Sequence, residues 1–228
     1  MTLPSRDSED RDSGPTPRRI SISTSRALFV VLIAVTSLVA LARFAQSRNG
    51  RSLDEQVLNS LNQQSGNGVL LGFANFVNHW SGPILIVWSL GLVVVAVRRP
   101  RQRTTALVMV AFAIGGTGAS ELLKLLVAVG HSRLGESHPA SLEHTWPSTH
   151  AAAASALAMA SIAVSPTPRC AVAAIASAAI ISLCLLMTAA HFPSDVLAGW
   201  LVAACSVAIA SLVLQFMSRP RPMRVEPG

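Results

Sequence analysis

Trp146-Pro147-Ser148-Thr149-His150 marks the point where a polar loop becomes the Ala-rich apolar run beginning at Ala151. Ser148 is a good helix N-cap, and the residues after it favour helix. A helix N-terminus presents unpaired backbone N–H groups and a partial positive charge, which together suit an anion. His150 falls in that first turn, in reach to pass a proton to a bound anion. Taken alone, Pro-Ser-x-His is a capped helix with an incidental histidine. Its surroundings give it a chemical meaning.

Those surroundings are apolar. Of the 228 residues, 51% are hydrophobic and 13% are charged, a membrane composition. Spanning the hydrocarbon core takes roughly 20 apolar residues of helix. Six stretches qualify, at about 27–46, 81–97, 104–129, 149–165, 170–190 and 195–217. The expected fold is therefore an all-α integral-membrane bundle of six transmembrane helices. Residues 1–26 read as a disordered tail, 27–217 as the membrane domain and 218–228 as a basic tail. The amphipathic stretch 52–80, with Leu53, Val57, Leu58 and Leu61 at helical spacing, predicts one or two short helices in the interface, anchored by Trp80.

A net charge of +7 invites a nucleic-acid reading, but its placement argues for topology instead. Thirteen of the eighteen basic residues lie in the two tails or in the 2–3 and 4–5 connections. The positive-inside rule makes that side cytoplasmic, with both termini inside a plasma membrane. All six histidines then face outward. Their spacings match no usual zinc pattern, and no metal or cofactor is implied. Cys170, Cys184 and Cys205 read as small apolar residues within the spans.

Three pieces converge on the outer face. Span 3 ends with Glu121 and Lys124, three residues apart on one helical face. Lys124 is the chain's single lysine. Ser148 and His150 open span 4. His191 and Asp195 open span 6, at a spacing that lets the carboxylate accept the ring N–H and fix its tautomer. One histidine as nucleophile, a second as acid, and an anion cradle from Lys124 and the span 4 N-terminus describe phosphomonoester hydrolysis through a phosphohistidine.

These residues resemble the type 2 phosphatidic acid phosphatase family, which shares its fold with vanadium haloperoxidases. Its pattern runs K-x6-R-P, then P-S-G-H, then S-R-x5-H-x3-D. Lys124 matches the first part, Pro147, Ser148 and His150 the second, and His191 and Asp195 the third. The resemblance covers about residues 50–217 and implies catalysis by His150, His191 and Asp195. Lys124, Ser148 and Thr149 would contact the phosphate. Five positions depart from the pattern. The first arginine is His131, followed by Ser132; the glycine is Thr149; the Ser-Arg pair is Cys184-Leu185. Losing both arginines removes two charge-assisted contacts, each worth about 1.5–3 kcal/mol. Arg133 or His131 would have to supply the charge.

The expected partners are membrane lipids and a lipid phosphate substrate, such as a polyprenyl phosphate or diphosphate or a phosphatidic acid-like lipid, and not nucleic acid. The alternative reading is a catalytically degenerate scaffold or lipid-binding protein on the same fold.

Overall fold

The computed structural model describes residues 23–64, 68–132 and 146–218, with side chains at 62–64 and 127–132 left aside. Seven helices follow in order: α1 (Thr24–Gln46), α2 (Arg48–Gln64), α3 (Gly68–Arg98), α4 (Arg103–Ser132), α5 (Thr149–Val164), α6 (Pro168–Met187) and α7 (Pro193–Met217). No strand occurs among the described residues. Five of these helices are long and apolar enough to cross a membrane, and α5 is a shorter apolar helix. Most of the expected tails, and most of the loop between spans 3 and 4, lie outside the described residues, while residues 24–26 of the expected N-terminal tail already belong to α1.

α5 is the axis of the bundle. Ala151, Ala152, Ala154, Ala156, Ala158 and Ala160 are all buried, and α3, α4, α6 and α7 pack around them. A helix apolar on every side belongs in the interior. Its alanines let four neighbours approach closely, as membrane helices without a hydrophobic drive between them require. At 16 residues α5 is about 24 Å long, short of the roughly 30 Å core. Sheathed by longer helices, it has no lipid to cross by itself. The outward faces carry the lipid contact: Phe73, Phe76, Ile86, Val87 and Leu90 of α3 are all exposed.

Polar pairs tie the helices together. Trp88 Nε1 donates to Ser161 Oγ at 2.9 Å between α3 and α5. Trp200 Nε1 donates to Ser182 Oγ at 3.0 Å between α7 and α6. Thr24 Oγ1 donates to Gln215 Oε1 at 2.7 Å between α1 and α7. Such bonds average about 0.6 kcal/mol each in membrane proteins.

One expectation needs correction. Residues 68–80 are not a separate interfacial helix; they form the first part of the 31-residue α3, which runs on through the second span. Pro83 sits inside this continuous helix, as membrane helices tolerate when neighbours reseat the freed backbone groups. α2 alone keeps the character of a polar, amphipathic surface helix. The small-residue run Gly115–Ser120 makes close approach at fewer points than its composition suggests. A Cβ on Gly116 would meet Ser206 Oγ of α7 at 2.5 Å, and Ser120 is fully buried, whereas Gly115 and Gly118 face open space. Of the three free cysteines only Cys184 is fully buried.

Candidate active site

Ser148 caps α5 as its sequence demands. Its Oγ accepts the Ala151 N–H at 3.3 Å, its C=O accepts the Ala152 N–H at 3.0 Å, and its side chain is fully buried. The N–H groups of Thr149 and His150, at the first two helical positions, meet no acceptor among the described residues. Those two donors and the helix dipole leave a positive helix end of the kind that suits an anion.

α7 begins beside it. The Ser148 N–H donates to the C=O of Asp195 at 3.0 Å, stitching the start of α5 to the start of α7. The two helices come this close because residue 199 has no side chain. A Cβ there would stand 2.6 Å from Ser148 O and 2.9 Å from Ala152 N.

His191 is delivered by the end of α6. Thr188 ends that helix, and Ala189 takes a left-handed φ of 51°. The Ala189 and Ala190 N–H groups bond back to the carbonyls of Leu186 and Leu185 at 3.0 and 3.1 Å. This is a Schellman closure, in which glycine is the usual left-handed residue. Asn78 Nδ2 of α3 donates to Thr188 Oγ1 at 3.2 Å and steadies the same corner.

The His191–Asp195 contact is looser than its spacing suggests. His191 Nδ1 stands 3.5 Å from Asp195 Oδ2, and this buried nitrogen has no hydrogen-bond partner. The Oδ2 atom accepts the Phe192 N–H at 2.9 Å instead. The carboxylate thus serves the helix start first and lies next to the imidazole. A charge contact at 3.5 Å orients the ring and tightens readily when a proton arrives on it.

Lys124 lies where expected, but with company. Its Nζ donates to Glu121 Oε1 at 3.0 Å, and Thr149 Oγ1 donates to the same oxygen. Thr149, which replaces the family's glycine, therefore couples α5 to the acid of α4. His150 is half-buried and within electrostatic reach of His191, Lys124 and Glu121. The fold thus gathers Lys124, Ser148, Thr149, His150, His191 and Asp195 at one end of the bundle. The His131 side chain and Arg133 lie outside the described residues. His79 stays apart, exposed and packed edge-on against Trp80 with ring centres 5.7 Å apart.

A cavity of about 250 Å³ opens beside His150 and Thr149. Its walls come from α3, α4 and α5, with Leu85, Ile86, Ala113, Ile114 and Leu157 supplying most of the surface. His150 and Thr149 beside largely apolar walls suit an amphipathic ligand.

Sequence reasoning missed Asp54. This buried carboxylate of α2 accepts both the N–H and the hydroxyl of Ser194, in the first turn of α7. No local signal separates it from its neighbour Glu55, which is exposed.

The model of the PAP2 superfamily matches residues 104–221. A search of the curated proteins finds no match. Among solved structures, the chain is similar to a transmembrane PAP2-type phosphatidylglycerolphosphate phosphatase from Bacillus subtilis. The likeness has a TM-score of 0.61 at 15% identity, over 85% of this chain and all of that one. That agreement is one of fold, and the matched segment holds Lys124, His150, His191 and Asp195 in the order the resemblance requires. The chain belongs to the PAP2 superfamily.

Proposed function

We propose that this integral-membrane protein is a phosphatase that hydrolyses a lipid phosphate at the extracytoplasmic face, through a phosphohistidine. The supporting observation is an apolar cavity lined by Thr149 and His150 at the α5 N-terminus, with His191 within electrostatic reach of His150. His191 attacks phosphorus through Nε2 while Asp195, beside Nδ1, balances the charge that develops on the ring. The bond from phosphorus to the lipid oxygen breaks, and His150 gives that oxygen its proton. Water then attacks phosphorus, His150 takes its proton, and the P–N bond breaks to return His191 and release inorganic phosphate. The Thr149 and His150 N–H groups and Lys124 hold the phosphoryl oxygens. The lipid chain lies along the walls of the cavity. Arg133 supplies further positive charge in place of the family's first arginine.

The test is release of inorganic phosphate from phosphatidic acid, a polyprenyl phosphate and a polyprenyl diphosphate by protein purified in detergent. The expected result is turnover of at least one substrate, abolished in His191→Ala and in His150→Ala. Turnover equal in wild type and His191→Ala defeats the phosphohistidine. No release from any substrate favours the scaffold reading, which draws support from the Glu121–Lys124 pair, since that pair cancels charge where phosphate needs it. The orientation has its own test. Reporter fusions after Arg103 and Gly135 give opposite signals if the termini are cytoplasmic, and matching signals refute the topology.

A further inference from the structure

The cap residue of α7 is Phe192, which has no side-chain acceptor to offer. Pro193 has no N–H. The N–H groups of Asp195 and Val196 bond to the Phe192 carbonyl at 3.0 and 3.2 Å. That leaves the Ser194 N–H as the unmatched donor of the first turn, and an unmatched buried donor is costly. Asp54, 140 residues earlier in the chain, meets it: Oδ1 accepts the Ser194 N–H at 3.1 Å and Oδ2 accepts the Ser194 hydroxyl. Asp54 is only 8% exposed and Ser194 only 4%. A carboxylate here also complements the positive end of the α7 dipole. Asp195 follows Ser194 directly, so whatever fixes Ser194 fixes the carboxylate beside His191.

We infer that Asp54 is a positioning residue: it caps α7 from another helix and so holds the His191–Asp195 pair in register. α2, which packs on α1, α6 and α7, thereby becomes part of the catalytic apparatus without touching substrate. This inference rests on the phosphatase reading for its kinetic consequence and on the geometry alone for its structural one.

The experiment uses the full-length protein in detergent, with phosphatidic acid as probe. Asp54→Ala lowers kcat by about 10-fold or more and changes KM less than about 3-fold, as loss of alignment rather than of binding predicts. Asp54→Asn restores most of the rate, because a carboxamide oxygen accepts the N–H and its NH₂ donates to the Ser194 hydroxyl. The double variant Asp54→Ala/Ser194→Ala is no slower than Asp54→Ala, since both changes break one contact. Hydrogen exchange at residues 194–199 speeds up in Asp54→Ala, and in α4 it does not. A wild-type kcat in Asp54→Ala overturns the inference, as does an effect confined to KM. Asp54→Asn as slow as Asp54→Ala also overturns it, because charge and not the cap would then be the cause. If wild-type protein hydrolyses nothing, the phosphatase reading fails, and the exchange rates decide the clamp by themselves: unchanged exchange ends it.

Discussion

Replacing Gly199 by alanine tests the closest approach in the site. The added Cβ would stand 2.6 Å from Ser148 O and 2.9 Å from Ala152 N, the two atoms joined in the first hydrogen bond of α5, and 3.1 Å from Ala151 Cβ. Ordinary contact begins near 3.4 Å, so α5 and α7 must part by about 0.8 Å at this crossing. The atoms in the way are backbone and have no rotamer to escape into. Overpacking of this kind costs about 1–3 kcal/mol, and alanine's better helix propensity returns about 1 kcal/mol. The net loss of stability is therefore modest, about 0–2 kcal/mol. Catalysis suffers more, because the same movement stretches the Ser148 N–H to Asp195 C=O bond and draws His150 away from His191. A misplacement near 1 Å is worth about 100-fold in rate. The assay is kcat for lipid phosphate hydrolysis beside thermal unfolding in the same detergent. Gly116→Ala is the control: its Cβ meets the Ser206 side chain, whose hydroxyl can turn aside. If Gly199→Ala keeps wild-type kcat and unfolding temperature, the close approach of α5 and α7 does not set the site's geometry.

Three further outcomes follow. Glu121→Gln removes the acid that shares Lys124 and Thr149; Glu121 is more than half exposed, so the screened pair is worth about 0.2–1 kcal/mol and KM should fall about 2- to 5-fold, while a rise in KM would mean that Glu121 holds Lys124 in place. Ala189→Gly relieves the left-handed φ of 51°, worth about 1–2 kcal/mol, less about 0.5–1 kcal/mol for glycine's freer unfolded chain, so stability in detergent should rise by about 0–1.5 kcal/mol; a drop refutes the strain. Burial, aided by the charge of Asp195 and opposed by the Ser194 hydrogen bonds, raises the Asp54 carboxyl above its ordinary 3.8. The folded protein then holds that proton more tightly than the unfolded chain, so the stability it brings is complete below pH 3.8 and lost as pH rises through the raised value. Relative to Asp54→Asn, wild type should lose unfolding temperature across that window, and a flat difference counts against the shift.

What the sequence made legible was local. Ser148 as an N-cap follows from one or two turns of backbone, and the structure has it. Five of the six expected spans are long apolar helices, and α5 is short because its neighbours cover it. What stayed hidden depends on partners distant in sequence. Nothing near Asp54 says that it will cap a helix starting at residue 193. Nothing near residue 199 says that its missing side chain admits another helix's backbone. Thr149 looks like a lost glycine in the motif, and its hydroxyl bond to Glu121 appears only when α4 and α5 are laid side by side.

These hidden contacts share a direction. Asp54 on Ser194, Ser148 on Asp195, Thr149 on Glu121 and Asn78 on Thr188 each join two helices at the end of the bundle that holds the histidines. Further along the bundle the ties are apolar packing and single indole or hydroxyl bonds. Among the described residues the positive charge at that end is meagre: Lys124 is matched by Glu121, and the α5 N-terminus adds roughly half a positive charge. A site so lightly charged gains little from gripping a phosphate in its ground state. On the phosphatase reading, its advantage comes from alignment of His150 and His191 and from apolar contact along the cavity, where burial is worth about 25 cal/mol per Å² of lipid covered. The polar clasps around the histidines supply that alignment. On the phosphatase reading, the rigidity of the helix ends joins Arg133 in making up for the two arginines that the family pattern expects.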